Sequence, residues 1–162
     1  MAMELSDDIM IQAPRAAVYA ALNDIAILQK CIPGCEELER VSEDELVAKV
    51  VLKIGPVKAR FAGKVTLDRS GAPDVMSLQG EGNGGVAGFA KGGARVTLED
   101  LDDATLLHYE ATADVGGKIA QLGNRLMVGT ARKLAAAFFT SFAQSLGAPD
   151  VEVAATEDED EA

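Results

Sequence analysis

The chain has 162 residues, 48% of them hydrophobic and 25% charged, enough for one domain with its own core. Its formal net charge is −11, but seven of its 26 acidic residues fall after Pro149, and with 4% aromatic residues the far less acidic body is a poor nucleic-acid binder. No apolar run approaches the roughly 18 residues of a membrane span, no leader opens the chain, and two cysteines make no disulfide scaffold, so a cytoplasmic protein is expected.

Met3, Leu5, Ile9 and Ile11 share one face at period two, which predicts a strand over 3–11. Pro14 suits a first helical turn, and Val18, Ala21, Leu22 and Ile25 follow at helical spacing. A second short helix is expected over 24–30, ended by Pro33-Gly34. Leu46, Ala48, Val50, Leu52 and Ile54 then alternate with more polar residues. After Gly55-Pro56, so do Val57, Ala59, Phe61, Val65 and Leu67. Both segments read as strands with one wet face. Further strands are expected over 75–81, 86–100 and 105–115, with a hairpin at Gly82-Asn83-Gly84-Gly85 and a bulge or bend at Gly92-Gly93.

After Gly116-Gly117 the period changes. Ile119, Leu122, Leu126, Thr130, Leu134, Phe138 and Phe142 recur at three or four, which predicts one long amphipathic helix over 119–146, closed by Gly147 and Pro149. A single helix and a single sheet face must bury each other. The expected fold is α+β: a curved antiparallel sheet of about seven strands wrapped around the C-terminal helix, with two short helices after the first strand. Small inner-face residues, Ala48, Ala59, Gly63, Ala111 and Ala113, leave room between the layers. The domain is expected over 1–147, with 148–162 an acidic, disordered tail.

The chemistry-bearing residues are few. Gly80 to Gly85 match G-x-G-x-x-G literally, but dinucleotide binding needs a helix after the glycines, and a strand is expected there. Cys31 and Cys35 have no second Cys or His pair to complete a zinc site. His108 alternates opposite Leu107 and Tyr109, so it points away from the core, sharing its face with Glu110 and Asp114. No cofactor or metal is expected. Lys49, Lys53, Lys58, Arg60 and Lys64 fall on one exposed face of two adjacent strands, a basic patch suited to an acidic partner or anionic lipid.

Four blocks carry a resemblance: Cys31-Ile32-Pro33-Gly34-Cys35-Glu36, Lys53 to Phe61 (KIGPVKARF), Gly80-Glu81-Gly82 through Gly88-Phe89-Ala90-Lys91-Gly92, and Val115 to Gly123 (VGGKIAQLG). In this order, over roughly residues 3–146, the chain resembles the CoxG family of carbon monoxide dehydrogenase subunits, within the START-like helix-grip superfamily. The resemblance implies an accessory protein of a molybdenum hydroxylase, linked to bringing that enzyme to the inner face of the cytoplasmic membrane. It also implies an apolar ligand, quinone- or lipid-like, between helix and sheet.

On that reading the cavity wall is Phe61, Met76, Leu78, Phe89, Tyr109, Leu126, Met127, Leu134 and Phe138, and the Tyr109 hydroxyl is placed to orient a carbonyl. The dehydrogenase would meet the basic strand face or the Pro33-Gly34 loop. Longer relatives continue into an apolar C-terminal segment, whereas this sequence finishes in Glu-Asp-Glu-Asp-Glu-Ala, so stable anchoring is not expected. A pure protein–protein adaptor with a filled core is the alternative. An enzyme of the cyclase or hydrolase kind would need an inward acid–base pair, and the assigned inner-face positions are almost all apolar.

Overall fold

The computed structural model describes residues 1–147 and the backbone of the pair 152–153. Strand β1 (Ala2–Ile11) leads into helices α1 (Arg15–Leu22) and α2 (Ile25–Cys31). Six strands follow: β2 (Cys35–Ser42), β3 (Glu45–Ile54), β4 (Val57–Asp68), β5 (Val75–Asn83), β6 (Phe89–Asp100) and β7 (Thr105–Gly116). Helix α3 (Asn124–Ser145) comes next, and Glu152–Val153 form a two-residue strand, β8. The sheet order is β2-β3-β4-β5-β6-β7-β1-β8, with every described neighbour pair antiparallel. The expected tail thus lies outside the described residues, apart from β8.

Local chemistry sets the boundaries. The Asp24 carboxylate caps α2 by accepting from the Ile27 N–H at 3.2 Å. Gly34, at φ 76°, turns the chain from α2 into β2. A methyl group there would lie 2.1 Å from the Val51 carbonyl oxygen, and the Gly34 carbonyl accepts from the Val51 N–H at 2.9 Å. The loop is therefore pinned flat on β3.

Three details differ from the sequence reading. The C-terminal helix is not continuous from Ile119: a 3₁₀ turn, Lys118–Leu122, is followed by Gly123 at φ 97°, and α3 begins only after it. The chain after Asn83 makes another 3₁₀ turn, Gly85–Ala87, so β6 starts at Phe89 rather than at residue 86. Gly92-Gly93 is no bulge, because both ladders run through it in unbroken register. Gly92 is there for a close approach: a methyl group on it would sit 2.0 Å from the Thr112 carbonyl oxygen.

The core divides into three clusters. The largest joins Ile9, Ile11, Val18, Leu107, Phe139 and Phe142. A second gathers Ile54, Phe61, Val115, Ile119 and Met127 at the other end of the grip, and a third packs Leu38, Leu46 and Leu67 under α2. Aromatic contacts concentrate on α3, where Phe138 meets Phe139 edge-on at 4.9 Å and stacks on Phe142 at 5.6 Å.

Candidate functional site

Between the clusters lies a floor with almost no side chains. The inward positions pair as Gly63 with Gly82, Gly80 with Gly92, Gly82 with Ala90, Gly92 with Ala113 and Ala94 with Ala111. Nothing in this patch is longer than a methyl group. Helix α3 makes its main backbone approaches to α2, β1 and β3, on either side of the patch. Val50, Val65, Leu78, Leu134 and Phe138 stay half-buried although they face the space between α3 and the sheet. A tightly closed core would bury such residues fully. The sequence reading finds part of this floor but assigns Gly80 and Gly82 only to a turn motif, whereas both lie within β5.

The expected wall residues divide. Phe61, Met76, Tyr109 and Met127 are buried on the inner side, with Leu78, Leu134 and Phe138 half-buried beside them. Two residues stand elsewhere. Phe89 lies on the opposite face of the sheet and is 47% exposed, because its inward neighbours are Ala90 and Gly88. Its ring covers the outer side of Gly116. Leu126 sits at the rim, 38% exposed, beside Gly55 of the β3–β4 hairpin.

Tyr109 is the polar feature of the inner face. It is 8% exposed and stacks on Phe139 with centroids 5.6 Å apart and planes 21° from parallel. Burial, with the negative charge of Asp7 next, pushes its pKa up to about 12, against a smaller lowering by Arg132. Asp7 stands directly across the ladder, and on the same inward face, between Leu5 and Ile9. The sequence reading misses it. The signal is present, since Asp7 falls on the same period-two face as Leu5 and Ile9.

The basic strand face is laced with ion pairs. Arg60 holds Glu36 through two nitrogens, at 2.8 and 3.2 Å, and that bond keeps the Glu36 carboxyl below its usual range. Lys49 pairs with Glu37 at 3.8 Å and Lys64 with Glu45 at 3.6 Å. Lys53 and Lys58 face each other across the ladder. The structure gathers Pro33, Gly34, Lys58 and Arg60 around one open depression of about 770 Å³. Lys49 and Lys64 line a different groove of about 460 Å³, shared with Glu37, Glu39, Phe89 and Lys91.

His108 points outward, as expected, with Nδ1 2.5 Å from Asp8 and Nε2 3.1 Å from Glu110. Its hydrogen bonds to Glu110 and Asp8, in that order, raise its pKa. Cys31 is buried against Ser145 at 3.6 Å, while the Cys35 thiol donates to the Glu37 carbonyl. Among the described residues no cluster of three His, Cys, Asp or Glu is arranged to hold a metal ion, and no helix is long and apolar enough to cross a membrane.

Solved structures share this architecture. A conserved protein from Geobacillus kaustophilus is 30% identical, with a TM-score of 0.84 over 90% of this chain and 95% of that one. A Streptomyces aromatase/cyclase is 11% identical, with a TM-score of 0.69 over 91% of this chain and 94% of that one. Norcoclaurine synthase from Thalictrum flavum, solved in complex with dopamine and hydroxybenzaldehyde, is 12% identical, with a TM-score of 0.62 over 90% of this chain and 87% of that one. At 11–12% identity the likeness is one of fold alone, the helix-grip fold. No functionally curated protein matches the sequence. The model of the CoxG family of carbon monoxide dehydrogenase subunits matches residues 8–147, and the chain belongs to that family.

Proposed function

We propose that this protein is a non-catalytic accessory of a carbon monoxide dehydrogenase-type molybdenum hydroxylase, and that it carries an apolar, quinone-like molecule between α3 and the sheet. The observation that carries the reading is the floor from Gly63 to Ala113, with no side chain longer than a methyl group, beneath a helix whose facing residues Leu134 and Phe138 stay half-buried. A flat apolar ring or an isoprenoid chain would cover that floor. Each CH₂ it buries contributes about 0.8 kcal/mol before ordering costs. Family membership supplies the context of the dehydrogenase. Peripheral contact with the membrane is part of the proposal, since a quinone resides there.

The depression around Pro33, Gly34, Lys58 and Arg60 suits the dehydrogenase as partner. Its loop is held rigid by the Val51–Gly34 hydrogen bond, which limits the ordering cost of docking. Isothermal titration of the purified protein with decylubiquinone tests the carrier reading. Saturable one-to-one binding is expected. No binding, with the fold intact, leaves the adaptor reading in its place.

A further inference from the structure

We propose that the end of the grip where the β3–β4 hairpin meets the start of α3 docks on an anionic lipid surface, with Val86 and Leu126 entering the headgroup layer and the opposite, acidic end facing water. The inference rests on the carrier reading, which needs a membrane to draw from, and adds to it the docking face and the orientation.

Three segments build this end. The β3–β4 hairpin turns at Gly55-Pro56, the 3₁₀ turn Gly85–Ala87 joins β5 to β6, and the 3₁₀ turn Lys118–Leu122 leads into α3. All ride on one buried cluster, to which Ile54, Ala87, Ile119 and Met127 belong. Leu126 reaches the hairpin: a methyl group on Gly55 would lie 2.9 Å from its side chain. The two 3₁₀ turns abut, since a methyl group on Gly117 would lie 2.6 Å from the Gly88 Cα. Exposed apolar surface is concentrated here. Of the five large hydrophobic residues exposed among the described residues, Val86, Phe89 and Leu126 belong to this end. Val86 is 94% exposed and contributes nothing to the core.

Cations surround these residues. Lys53 and Lys58 flank the hairpin, Lys118 opens its 3₁₀ turn, and Arg125 precedes Leu126. All four are exposed, and none makes an ion pair among the described residues. The fold gains nothing from their placement. Lys53 and Lys58 stand directly opposite each other in the ladder, and like charges so placed cost stability. Arg125 sits in the first turn of α3, where a cation opposes the helix dipole. An external anion relieves both. Of the carboxylates close by, Asp114 pairs with the Met1 amino group at 3.2 Å, Glu36 pairs with Arg60 at 2.8 Å, and Glu81 lies across the ladder from Lys91.

The other end of the sheet has the reverse sign. Glu43, Asp44, Asp74, Asp100, Asp102 and Asp103 gather in or beside its three loops. Arg15, Arg40 and Arg69 there are held by Asp74, the Glu43 carbonyl and Asp44. Opposite charge at the two ends orients the molecule before it touches a negative surface. At a bilayer boundary the cations meet lipid phosphates while the aliphatic tips meet the acyl layer beneath. Two aliphatic tips among cations fit that boundary better than a protein interface, which relies on a broader packed apolar centre. Leu126 also stands at the rim of the proposed ligand space, so docking at this end sets that space against the lipid.

Co-sedimentation of the full chain with vesicles of phosphatidylethanolamine and phosphatidylglycerol, roughly three to one, is compared with vesicles of phosphatidylcholine alone. Binding is expected to the anionic vesicles only, falling at least about tenfold between about 50 and 500 mM salt. The double variant Lys118→Ser, Arg125→Ser should weaken it about thirtyfold, the worth of two charges near an anionic surface. Val86→Ser should weaken it about fivefold and Val86→Trp strengthen it about tenfold, at a position too exposed to disturb the fold. No binding to anionic vesicles, or binding that these variants leave unchanged, overturns the inference. Co-purification with the dehydrogenase that is lost in the double variant, without vesicle binding, assigns the face to an acidic protein surface instead. Decylubiquinone titration of the same proteins separates the two readings. Quinone binding without vesicle binding leaves the carrier reading standing and removes the docking face. Vesicle binding without quinone binding removes the carrier reading and keeps the docking face.

Discussion

Tyr109 of β7 and Phe139 of α3 stack with their ring centroids 5.6 Å apart, tying the helix to the sheet at one end of the bare floor. At the other end Phe61, Val115, Ile119 and Met127 form a second tie. The helix is thus held at both ends over a patch of glycines and alanines flanked by Val65 and Leu78. On the carrier reading, the residues that hold the fold together and those that would line the ligand are therefore separable.

Phe142 is completely buried and Leu134 half-buried, though both lie on α3. Phe142→Ala should destabilise the protein by about 3–5 kcal/mol, the usual cost of emptying a full aromatic site. Leu134→Ala should cost about 1 kcal/mol in stability, because its site is only partly packed, yet weaken decylubiquinone binding severalfold. Urea unfolding midpoints and titration of the same two variants check both halves.

Ala94→Phe places a ring on the floor opposite Ala111. Decylubiquinone binding should be lost, while the melting temperature falls by only a few degrees or rises. A filled core would respond in the opposite way, with overpacking costing about 1–3 kcal/mol and no ligand effect to measure. Thermal melts with and without decylubiquinone separate the two cases.

Two inward glycines should behave differently. A methyl group on Gly82 would meet its nearest neighbour, the Ala62 carbonyl oxygen, at an ordinary 3.8 Å, whereas on Gly92 it would lie 2.0 Å from the Thr112 carbonyl oxygen. Gly82→Ala should be neutral or stabilise by up to about 1 kcal/mol, through the unfolded chain. Gly92→Ala should destabilise by more than about 1 kcal/mol, since backbone must move. Denaturant unfolding of both variants is the check.

His108 bridges Asp8 and Glu110 on the outer face, with its pKa raised in the fold. A raised folded-state pKa means that the charged imidazole stabilises the fold. That contribution is complete below the unfolded value of roughly 6.5 and is lost as pH rises through the folded pKa. Compared with His108→Gln, the wild-type protein should gain in urea midpoint at pH 5.5 and lose the advantage by pH 8.5. A difference that grows with pH would contradict this.

Much of the fold is legible in the sequence because β3, β4 and β7 alternate cleanly and α3 keeps its helical period. Strand β2 does not show as a separate strand, because only Leu38 among its eight residues is buried and a charged edge strand leaves no pattern. Phe89 misleads for a related reason. Inward β6 residues near it are Ala90 and Gly92, so the largest apolar side chain of that stretch is the outward one. The break at Gly123 is invisible to periodicity, since Ile119 and Leu122 in the 3₁₀ turn pack on the same cluster as α3. Asp7 is the instructive omission: a charged residue in the apolar phase of a strand is easily passed over in favour of its neighbours.

Native mass spectrometry of the protein purified from a membrane-containing lysate, followed by organic extraction, tests the carrier claim most directly. A quinone or isoprenoid recovered at near one-to-one stoichiometry is the predicted result. A clean apo mass that takes up no quinone on addition would contradict it.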